Sequence, residues 1–242
     1  MLSIFTNSLF AGTINIAVAA NVSYAIDDLK KEFKKQYPDT KVRVTLGSSG
    51  KLTAQIKNGA PYQLFMSANM KYPETLYKDK IAITSPIIYA QGSLAILSSS
   101  PRDFTGGMKL ILNPQIKKIA IANPKTAPYG KAAFEAISNF GLYEQVKKKL
   151  VYAESASQTV SYTVTATDLG FIAKSSLYSK RMSKFKKGIH WVEVDSSLYT
   201  PISQGLVLLK NGEKNSEVEA FYKFILSQKA KNIFNKFGYL VQ

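Results

Sequence analysis

Short strand patterns alternate with amphipathic helix patterns along the first part of the chain, and this order limits the folds that it can adopt. Ile14, Ile16 and Val18 alternate with smaller or polar residues, and this period of two predicts a β-strand. Apolar residues then recur at helical spacing over 22–33. Two further strands and one short helix are predicted over 42–46, 64–66 and 52–56. Such an order predicts a mainly parallel sheet with helices on both faces.

A second unit of the same kind begins near residue 119. We predict a strand at 119–122, a helix at 129–140 that ends before Gly141, a helix from Ser157 and a strand at 169–172. The chain then closes with a strand near 206–209 and one long amphipathic helix. The apolar side of that helix contains Val218, Phe221, Phe224, Ile225, Ile233 and Phe234.

Two extended segments, 87–97 and 196–206, connect these units, so the second unit is inserted into the first. We therefore predict an α/β protein with two lobes, each a mainly parallel sheet flanked by helices. Lobe I comprises residues 12–90 and 200–242, and lobe II comprises residues 91–199. Two lobes joined by two extended segments form a hinge, and we expect the ligand to bind in the cleft between them.

The first residues predict export. Leu2, Ile4, Phe5, Leu9 and Phe10 are apolar, and the segment ends at a small alanine before glycine. This pattern resembles the end of a signal peptide with cleavage after residue 11, although a positively charged start is missing. We expect residues 1–11 to be the remnant of a signal peptide and the protein to be secreted.

Composition excludes several classes of protein. Hydrophobic residues make up 45% of the 242 residues and charged residues 20%, which excludes a wholly disordered chain or a coiled coil. No apolar run approaches the roughly 18–20 residues that a transmembrane helix needs. The chain has no cysteine, so disulfides, thiolate metal sites and a cysteine nucleophile are excluded.

The charge balance is the unusual part of the composition. The 32 Lys and Arg residues outnumber the 16 Asp and Glu residues, which gives a net charge of +16. An excess of this size is compatible with nucleic acid, an anionic membrane or an anionic ligand as partner. Most of the lysines are spread along helices and loops in a pattern typical of solvated faces, so charge alone does not identify the partner.

Four places where a strand or loop enters a helix are candidate anion sites. A helix start leaves unpaired backbone N–H groups and carries about half a positive charge. In a doubly wound sheet these starts gather at the carboxyl edge of the strands, facing the crevice. Asparagine and serine are also ordinary helix caps, so only the set of four favours a ligand site. The four junctions are Ala20-Asn21, Ser48-Ser49, Pro128-Tyr129 and Ala156-Ser157.

The order and spacing of several short motifs resemble the periplasmic molybdate-binding proteins of ABC importers, over nearly all of the chain beyond residue 11. The resemblance implies a type II periplasmic binding protein fold, a periplasmic location and no cofactor. The motifs are 18–21 (VAAN), 47–52 (GSSGKL), 58–61 (NGAP), 64–68 (LFMSA), 123–130 (NPKTAPYG), 154–158 (ESASQ), 168–171 (DLGF) and 234–239 (FNKFGY).

This resemblance implies that Asn21, Ser49, Tyr129 and Ala156 contact the oxyanion. Asn21 and Ser49 would donate through side chain and backbone, and the other two through backbone N–H. The metal atom would be bound only as part of the oxyanion, and no residue would coordinate it directly. A tyrosine donor that some members of the family carry corresponds here to Ala173, so that contact is absent or replaced, for example by the hydroxyl of Tyr129. Weaker candidates for oxyanion contact are Ala20, Ser48 and Ser157.

The four junctions offer donors and no carboxylate. Molybdate and tungstate are fully deprotonated dianions that accept hydrogen bonds and donate none, so a donor-only site suits them, and charge-assisted hydrogen bonds stabilise a desolvated anion. Phosphate would also require an acceptor, whereas sulfate satisfies the same pattern. We therefore expect capture of molybdate, and also tungstate, for a membrane permease of an ABC importer. Another oxyanion such as sulfate or phosphate is the alternative.

Two other functions are weaker. An enzyme is disfavoured because the single histidine, His190, belongs to no recognisable catalytic motif and Ser49 has no neighbouring base. A nucleic-acid-binding protein is suggested only by the charge, since no nucleic-acid-binding motif occurs. We expect a monomer that is not an enzyme and does not bind nucleic acid.

Overall fold

The computed structural model describes residues 12–241, so the predicted signal-peptide remnant lies outside the described residues. Within this range the chain forms ten β-strands in two sheets. The strands are β1 (Thr13–Ala19), β2 (Lys41–Gly47), β3 (Leu64–Ser67), β4 (Ile87–Gly92), β5 (Leu94–Leu97), β6 (Ile119–Ala122), β7 (Leu150–Ala153), β8 (Leu169–Ala173), β9 (Trp191–Glu193) and β10 (Ile202–Leu208).

Eight α-helices flank these sheets in the described range. They are α1 (Ile26–Lys34), α2 (Ser49–Lys57), α3 (Lys71–Lys78), α4 (Pro128–Asn139), α5 (Tyr143–Val146), α6 (Ala156–Thr165), α7 (Ser216–Ile225) and α8 (Gln228–Lys236). None of the helices between residues 12 and 241 is long and apolar enough to cross a membrane.

The two sheets have the same topology. Sheet I has the strand order β2-β1-β3-β10-β4, and sheet II has the order β7-β6-β8-β5-β9. In sheet I, β1 pairs in parallel with β2 and β3, whereas β10 runs antiparallel to both of its neighbours. In sheet II, β5 is the strand that runs against the others. Four of the five strands in each sheet thus share one direction, and the predicted α/β fold is confirmed.

Alternation along β1 explains why helices cover both faces of sheet I. Ile16 and Val18 pack with α1, α7 and α8 on one face, whereas Ala17 packs with α2 and α3 on the other. The strand is central and buried on both sides, so its apolar residues contribute to two separate cores. In sheet II, Ile96 and Leu97 of β5 likewise belong to different cores.

The chain changes sheet at two places. Ser93 alone separates β4 of sheet I from β5 of sheet II, and the return runs from Glu193 at the end of β9 to Ile202 at the start of β10. The first change falls within the predicted extended segment 87–97, and the second overlaps the predicted segment 196–206 but begins before it, at Glu193. The division into lobes at residues 90/91 and 199/200 stays a prediction.

Two predicted helices differ from those in the structure. The C-terminal helix is two helices: α7 ends at Ile225, and the Ser227 Oγ caps α8 by accepting from the Ala230 backbone N–H at 3.4 Å. Serine competes with the helix backbone for hydrogen bonds and favours such a cap. The first helix begins at Ile26, preceded by a 3₁₀ turn at Ala20–Tyr24.

Candidate functional site

The carboxyl ends of five strands meet at one small cavity between the two sheets. β1, β2 and β3 end there from sheet I, and β6 and β7 end there from sheet II. The cavity is small, with a volume of about 10 Å³, close to the lower limit for a single water molecule. It is lined by Ala19, Ala20, Asn21, Gly47, Ser48, Ser49, Ala68, Ala127, Pro128, Tyr129 and Ala156.

Helix α2 brings the second junction to the cavity. Ser48 is its N-cap residue and Ser49 its first residue, and both side chains are buried. Of the N–H groups in the first turn, that of Gly50 donates to the Thr126 carbonyl at 2.9 Å, and that of Leu52 donates to the Ser48 carbonyl. The N–H of Ser49 has no partner among the described residues, so it is free for a ligand.

Helix α4 brings the third junction to the same place. Pro128 at its first position has no N–H, and the N–H groups of Gly130 and Lys131 both donate to the Ala127 carbonyl. The backbone N–H of Tyr129 is left without a partner within residues 12–241. Gly130 allows this close approach, because a Cβ there would lie 2.1 Å from the Ala122 carbonyl oxygen at the end of β6.

Helix α6 supplies the fourth junction. Its N-cap residue Ser155 accepts from the Gln158 N–H at 3.4 Å, and the Ser155 carbonyl accepts from the Thr159 N–H. Ala156 is the first residue of the helix and is buried against the cavity. Its N–H has no partner in the described part of the chain. Three helices, one that follows a strand of sheet I and two that follow strands of sheet II, therefore each present an unpaired N–H group at one cavity.

The first junction differs from its prediction. Ala20 and Asn21 begin a five-residue 3₁₀ turn, so no long helix starts at this point. Both hydrogens of the Asn21 side-chain amide are also used within the protein, in bonds to Gln204 Oε1 at 2.8 Å and to the Tyr239 hydroxyl at 2.9 Å. Because both amide hydrogens are bonded within the protein here, the backbone of Asn21 is the more direct candidate donor, and contact between Asn21 and an oxyanion stays a prediction.

The Ser49 hydroxyl is fixed by its neighbour. Its oxygen accepts a hydrogen bond from the Ala68 backbone N–H at 2.9 Å, which leaves the hydroxyl hydrogen available to a ligand. Ala68 lines the cavity and was missed by sequence reasoning. Ala68 directly follows β3, and its position at the carboxyl end of a parallel strand could have identified it as a candidate.

Three buried polar atoms in or beside the cavity have no hydrogen-bond partner among the described residues. They are the Ser48 hydroxyl, Asn21 Oδ1 and the Tyr129 hydroxyl. Buried polar groups without partners are costly and uncommon, so each indicates a missing partner. The Ser48 hydroxyl is a donor at the cavity wall, which favours an anion as that partner.

The Tyr129 hydroxyl extends toward the first crossing between the sheets. A Cβ placed on Gly92 would lie 2.0 Å from this oxygen. Burial, together with the neighbouring Tyr239, Tyr89 and Tyr199, raises the pKa of Tyr129 well above its ordinary value. The phenol is therefore neutral at physiological pH.

The cavity itself is electrically neutral. None of the residues that line it in the described structure carries a charged side chain. At its mouth, Lys51 Nζ lies 2.5 Å from Glu154 Oε1, and both side chains are about half exposed. The positive character of the cavity wall comes from backbone N–H groups at helix starts, which attract an anion without adding a proton-exchanging group.

Three residues considered from the sequence lie outside the cavity lining. Ser157 Oγ lies 3.3 Å from Ser155 Oγ, and Ala173 is buried in β8. His190 Nδ1 accepts from the Lys186 backbone N–H at 3.2 Å and thus contributes to a loop. Between residues 12 and 241, no three His, Asp or Glu side chains come together as a possible metal site.

The two-sheet fold and the small neutral cavity of N–H donors between the sheets define a solute-binding protein. The family model described as "Bacterial extracellular solute-binding protein" matches residues 14–240. The chain belongs to this family.

Relatives with known names support the resemblance that the motifs indicate. The molybdate-binding protein ModA of Azotobacter vinelandii is 35% identical over 96% of this chain and 91% of its own length. The protein of the same name from Rhodobacter capsulatus is 34% identical over 96% of this chain and 90% of its own length. The solved structure of the Azotobacter vinelandii periplasmic molybdate-binding protein has a TM-score of 0.88 and 31% identity, covering 95% of this chain and 99% of that one. The predicted resemblance to molybdate-binding proteins is confirmed.

Proposed function

We propose that this protein captures molybdate, and also tungstate, in the periplasm and delivers it to the membrane permease of an ABC importer. The observation that carries the proposal is the meeting of unpaired N–H groups from Ser49, Tyr129 and Ala156 at one neutral cavity. The names of the relatives support molybdate as the ligand.

The chemistry of the cavity favours a fully deprotonated oxyanion. Its candidate donors are the three N–H groups, the Ser49 and Ser48 hydroxyls, and the backbone of Asn21. Hydrogen bonds to a charged acceptor are about twice as strong as bonds between neutral groups, so such donors offset the cost of desolvating a dianion. No carboxylate lines the described cavity to accept the proton that phosphate retains. Asn21 Oδ1 is an acceptor without a partner, and for this reason phosphate belongs in the test beside sulfate.

Binding would close the two predicted lobes over the ligand. In the structure, residues of the two predicted lobes already touch at the mouth of the cavity, where the Gly50 N–H donates to the Thr126 carbonyl and Lys51 pairs with Glu154. The Tyr72 hydroxyl adds a longer bond of 3.5 Å to the same carbonyl. These contacts form only when the lobes are together, so a bound anion and the mouth contacts stabilise the same closed state.

The test is calorimetry and thermal unfolding of ligand-stripped protein with molybdate, tungstate, sulfate and phosphate, with a single-stranded oligonucleotide as control. A ligand at 1,000 times its dissociation constant stabilises the fold by about 4 kcal/mol, which is a readily measured increase in Tm. We expect molybdate and tungstate to raise the Tm at micromolar concentration and the other additions to have no effect. A response to sulfate or phosphate instead would change the ligand, and a response to the oligonucleotide alone would overturn the proposal.

A further inference from the structure

Asn21 is held from behind by residues that lie far away in the sequence. The Tyr239 hydroxyl donates to the Asn21 carbonyl at 3.0 Å and accepts from the Asn21 side-chain amide at 2.9 Å. Tyr239 is thus bonded to both ends of this residue. The hydroxyl donates its single hydrogen to the carbonyl, and its oxygen accepts the amide hydrogen, so both bonds can form at the same time.

Two other side chains complete the support of Asn21. Gln204 Oε1, at the start of β10, accepts the second amide hydrogen, and the Gln204 amide is itself fixed by a 2.9 Å bond to the Ile202 carbonyl. The Ser175 hydroxyl, which follows β8 of sheet II, donates to the Asn21 carbonyl at 3.2 Å. Asn21 is therefore bonded to the C-terminal segment, to sheet I beside the second crossing, and to the 3₁₀ turn that follows β8 of sheet II.

The C-terminal segment keeps Tyr239 in place next to the first crossing. The neighbouring residue Leu240 exchanges two backbone hydrogen bonds with Gln91 of β4, at 2.7 and 2.9 Å. The Tyr239 ring packs edge-on against Phe234, with 5.6 Å between ring centroids, and its N–H donates to the Phe234 carbonyl. Burial raises the pKa of Tyr239 to about 12, so the hydroxyl keeps its hydrogen at any physiological pH.

We propose that Tyr239 is a positioning residue that fixes Asn21 in the orientation required for oxyanion binding. Asn21 lies on a 3₁₀ turn of five residues, which has little stiffness of its own. The bonds from Tyr239 supply that stiffness and join the cavity to β4 beside the crossing through Leu240. The proposal rests on the proposed function, because its measured consequence is the affinity for an oxyanion.

The test compares two variants, each of which removes one buried tyrosine hydroxyl. Tyr239→Phe deletes both bonds to Asn21. Tyr89→Phe is the matched control, since the Tyr89 hydroxyl is buried in the same aromatic cluster, against Phe234, and has no hydrogen-bond partner among the described residues. Molybdate affinity is measured by calorimetry, and apo stability by urea unfolding, for both variants and the unmodified protein.

We expect Tyr239→Phe to weaken molybdate binding about tenfold, the factor that corresponds to about 1.4 kcal/mol. Tyr89→Phe should bind within about twofold of the unmodified protein. If the Tyr239 hydroxyl matters only for folding, Tyr239→Phe will lower apo stability and leave molybdate affinity unchanged. That result would overturn the inference. If Tyr239→Phe does not fold, Ser175→Ala, which removes a hydrogen bond to the same carbonyl, must weaken binding for the inference to stand.

Failure of the proposed function gives a different result. In that case the unmodified protein binds neither molybdate nor tungstate, and the comparison of variants is not reached. If the unmodified protein binds molybdate and Tyr239→Phe binds it equally well, the function stands and the positioning role is wrong.

Discussion

Lys51 and Glu154 form an ion pair across the mouth of the cavity, with 2.5 Å between Nζ and Oε1. Lys51 is on α2, beside the Ser48-Ser49 junction, and Glu154 precedes α6, beside the Ala156 junction. Both side chains are about half exposed, so solvent and salt screen their attraction. We expect Glu154→Gln to weaken molybdate binding by less than about fivefold, since exposed pairs contribute roughly 0.2–1 kcal/mol. Calorimetry at low and high salt checks this, and a larger loss that persists at high salt would contradict it.

Ser49→Ala should reduce both affinity and stability. The substitution removes a hydroxyl donor to the oxyanion, which costs about 1.5–3 kcal/mol of binding free energy. It also leaves the Ala68 N–H without its acceptor, so the free energy of unfolding of the apo protein should fall by about 1–3 kcal/mol. Calorimetry and urea unfolding measure the two effects separately. Unchanged affinity would exclude the Ser49 hydroxyl as a donor and leave only its backbone N–H.

Ser48→Ala should separate these two effects. The Ser48 hydroxyl has no partner among the described residues, so deleting it costs the apo protein no hydrogen bond. We expect apo stability to be unchanged or raised, by up to about 1 kcal/mol, while molybdate affinity falls at least fivefold. The same pair of measurements applies. If apo stability falls as much as in Ser49→Ala, the hydroxyl has a structural partner in solution.

Gly50→Ala should hinder closure. A Cβ at this position would lie 2.9 Å from the Thr126 carbonyl oxygen, which approaches only when the two sides of the mouth meet, and 2.7 Å from the Tyr72 hydroxyl on its own side. We expect molybdate binding to weaken about tenfold or more, with apo stability changed by less than about 1 kcal/mol.

Gly106→Ala is the control for this substitution. Its Cβ would meet nothing closer than Lys109 Cβ at 3.8 Å, and the φ angle is −76°. Its affinity should match that of the unmodified protein. Equal losses of molybdate affinity in the two variants would show that the Gly50 substitution does not act by hindering closure.

Alkaline pH should destabilise the protein through its buried tyrosines. Burial raises the pKa of Tyr24 and Tyr239 to about 12, and raises that of Tyr89 well above its ordinary value. The unfolded chain releases these protons near pH 10, so their contribution is fully present below pH 10 and is lost as the pH rises toward 12. Each group lowers the free energy of unfolding by about 1.4 kcal/mol per pH unit in this window.

Urea unfolding between pH 9 and pH 12 measures this slope. Tyr89→Phe removes one of the buried phenols and should reduce the slope by about 1.4 kcal/mol per pH unit relative to the unmodified protein. An identical slope in the variant would mean that the Tyr89 side chain is accessible to solvent.

Local patterns predict most of the central strands and longer helices, because each is encoded within a short window, but they missed β7, β9, α3 and α5. The carboxyl-edge rule then predicts which junctions meet, and the structure places Asn21, Ser49, Tyr129 and Ala156 around one cavity. The break at Ser227 was missed because apolar spacing continues past it, whereas the cap depends on one hydroxyl.

The environment of Asn21 was beyond sequence reasoning. Asparagine at a strand end predicts a cap or a ligand donor, and nothing local indicates that its amide is bonded to Gln204 and Tyr239, 183 and 218 residues away. Such pairings depend on how the second crossing and the C-terminus pack, which no pattern of period 2 or 3.6 encodes. The same limit applies to the role of Ala68, whose N–H meets Ser49 Oγ only after β3 is in place.

The neutrality of the cavity has a kinetic consequence. On the proposed function, we expect the net charge of +16 to attract an anion as it diffuses toward the protein, which would accelerate association most at low salt. We expect the hydrogen bonds of the closed cavity, which salt screens little, to determine how long the anion stays. Speed of capture and residence time thus depend on separate parts of the sequence, the exposed lysines and the buried donors, and each can change without the other.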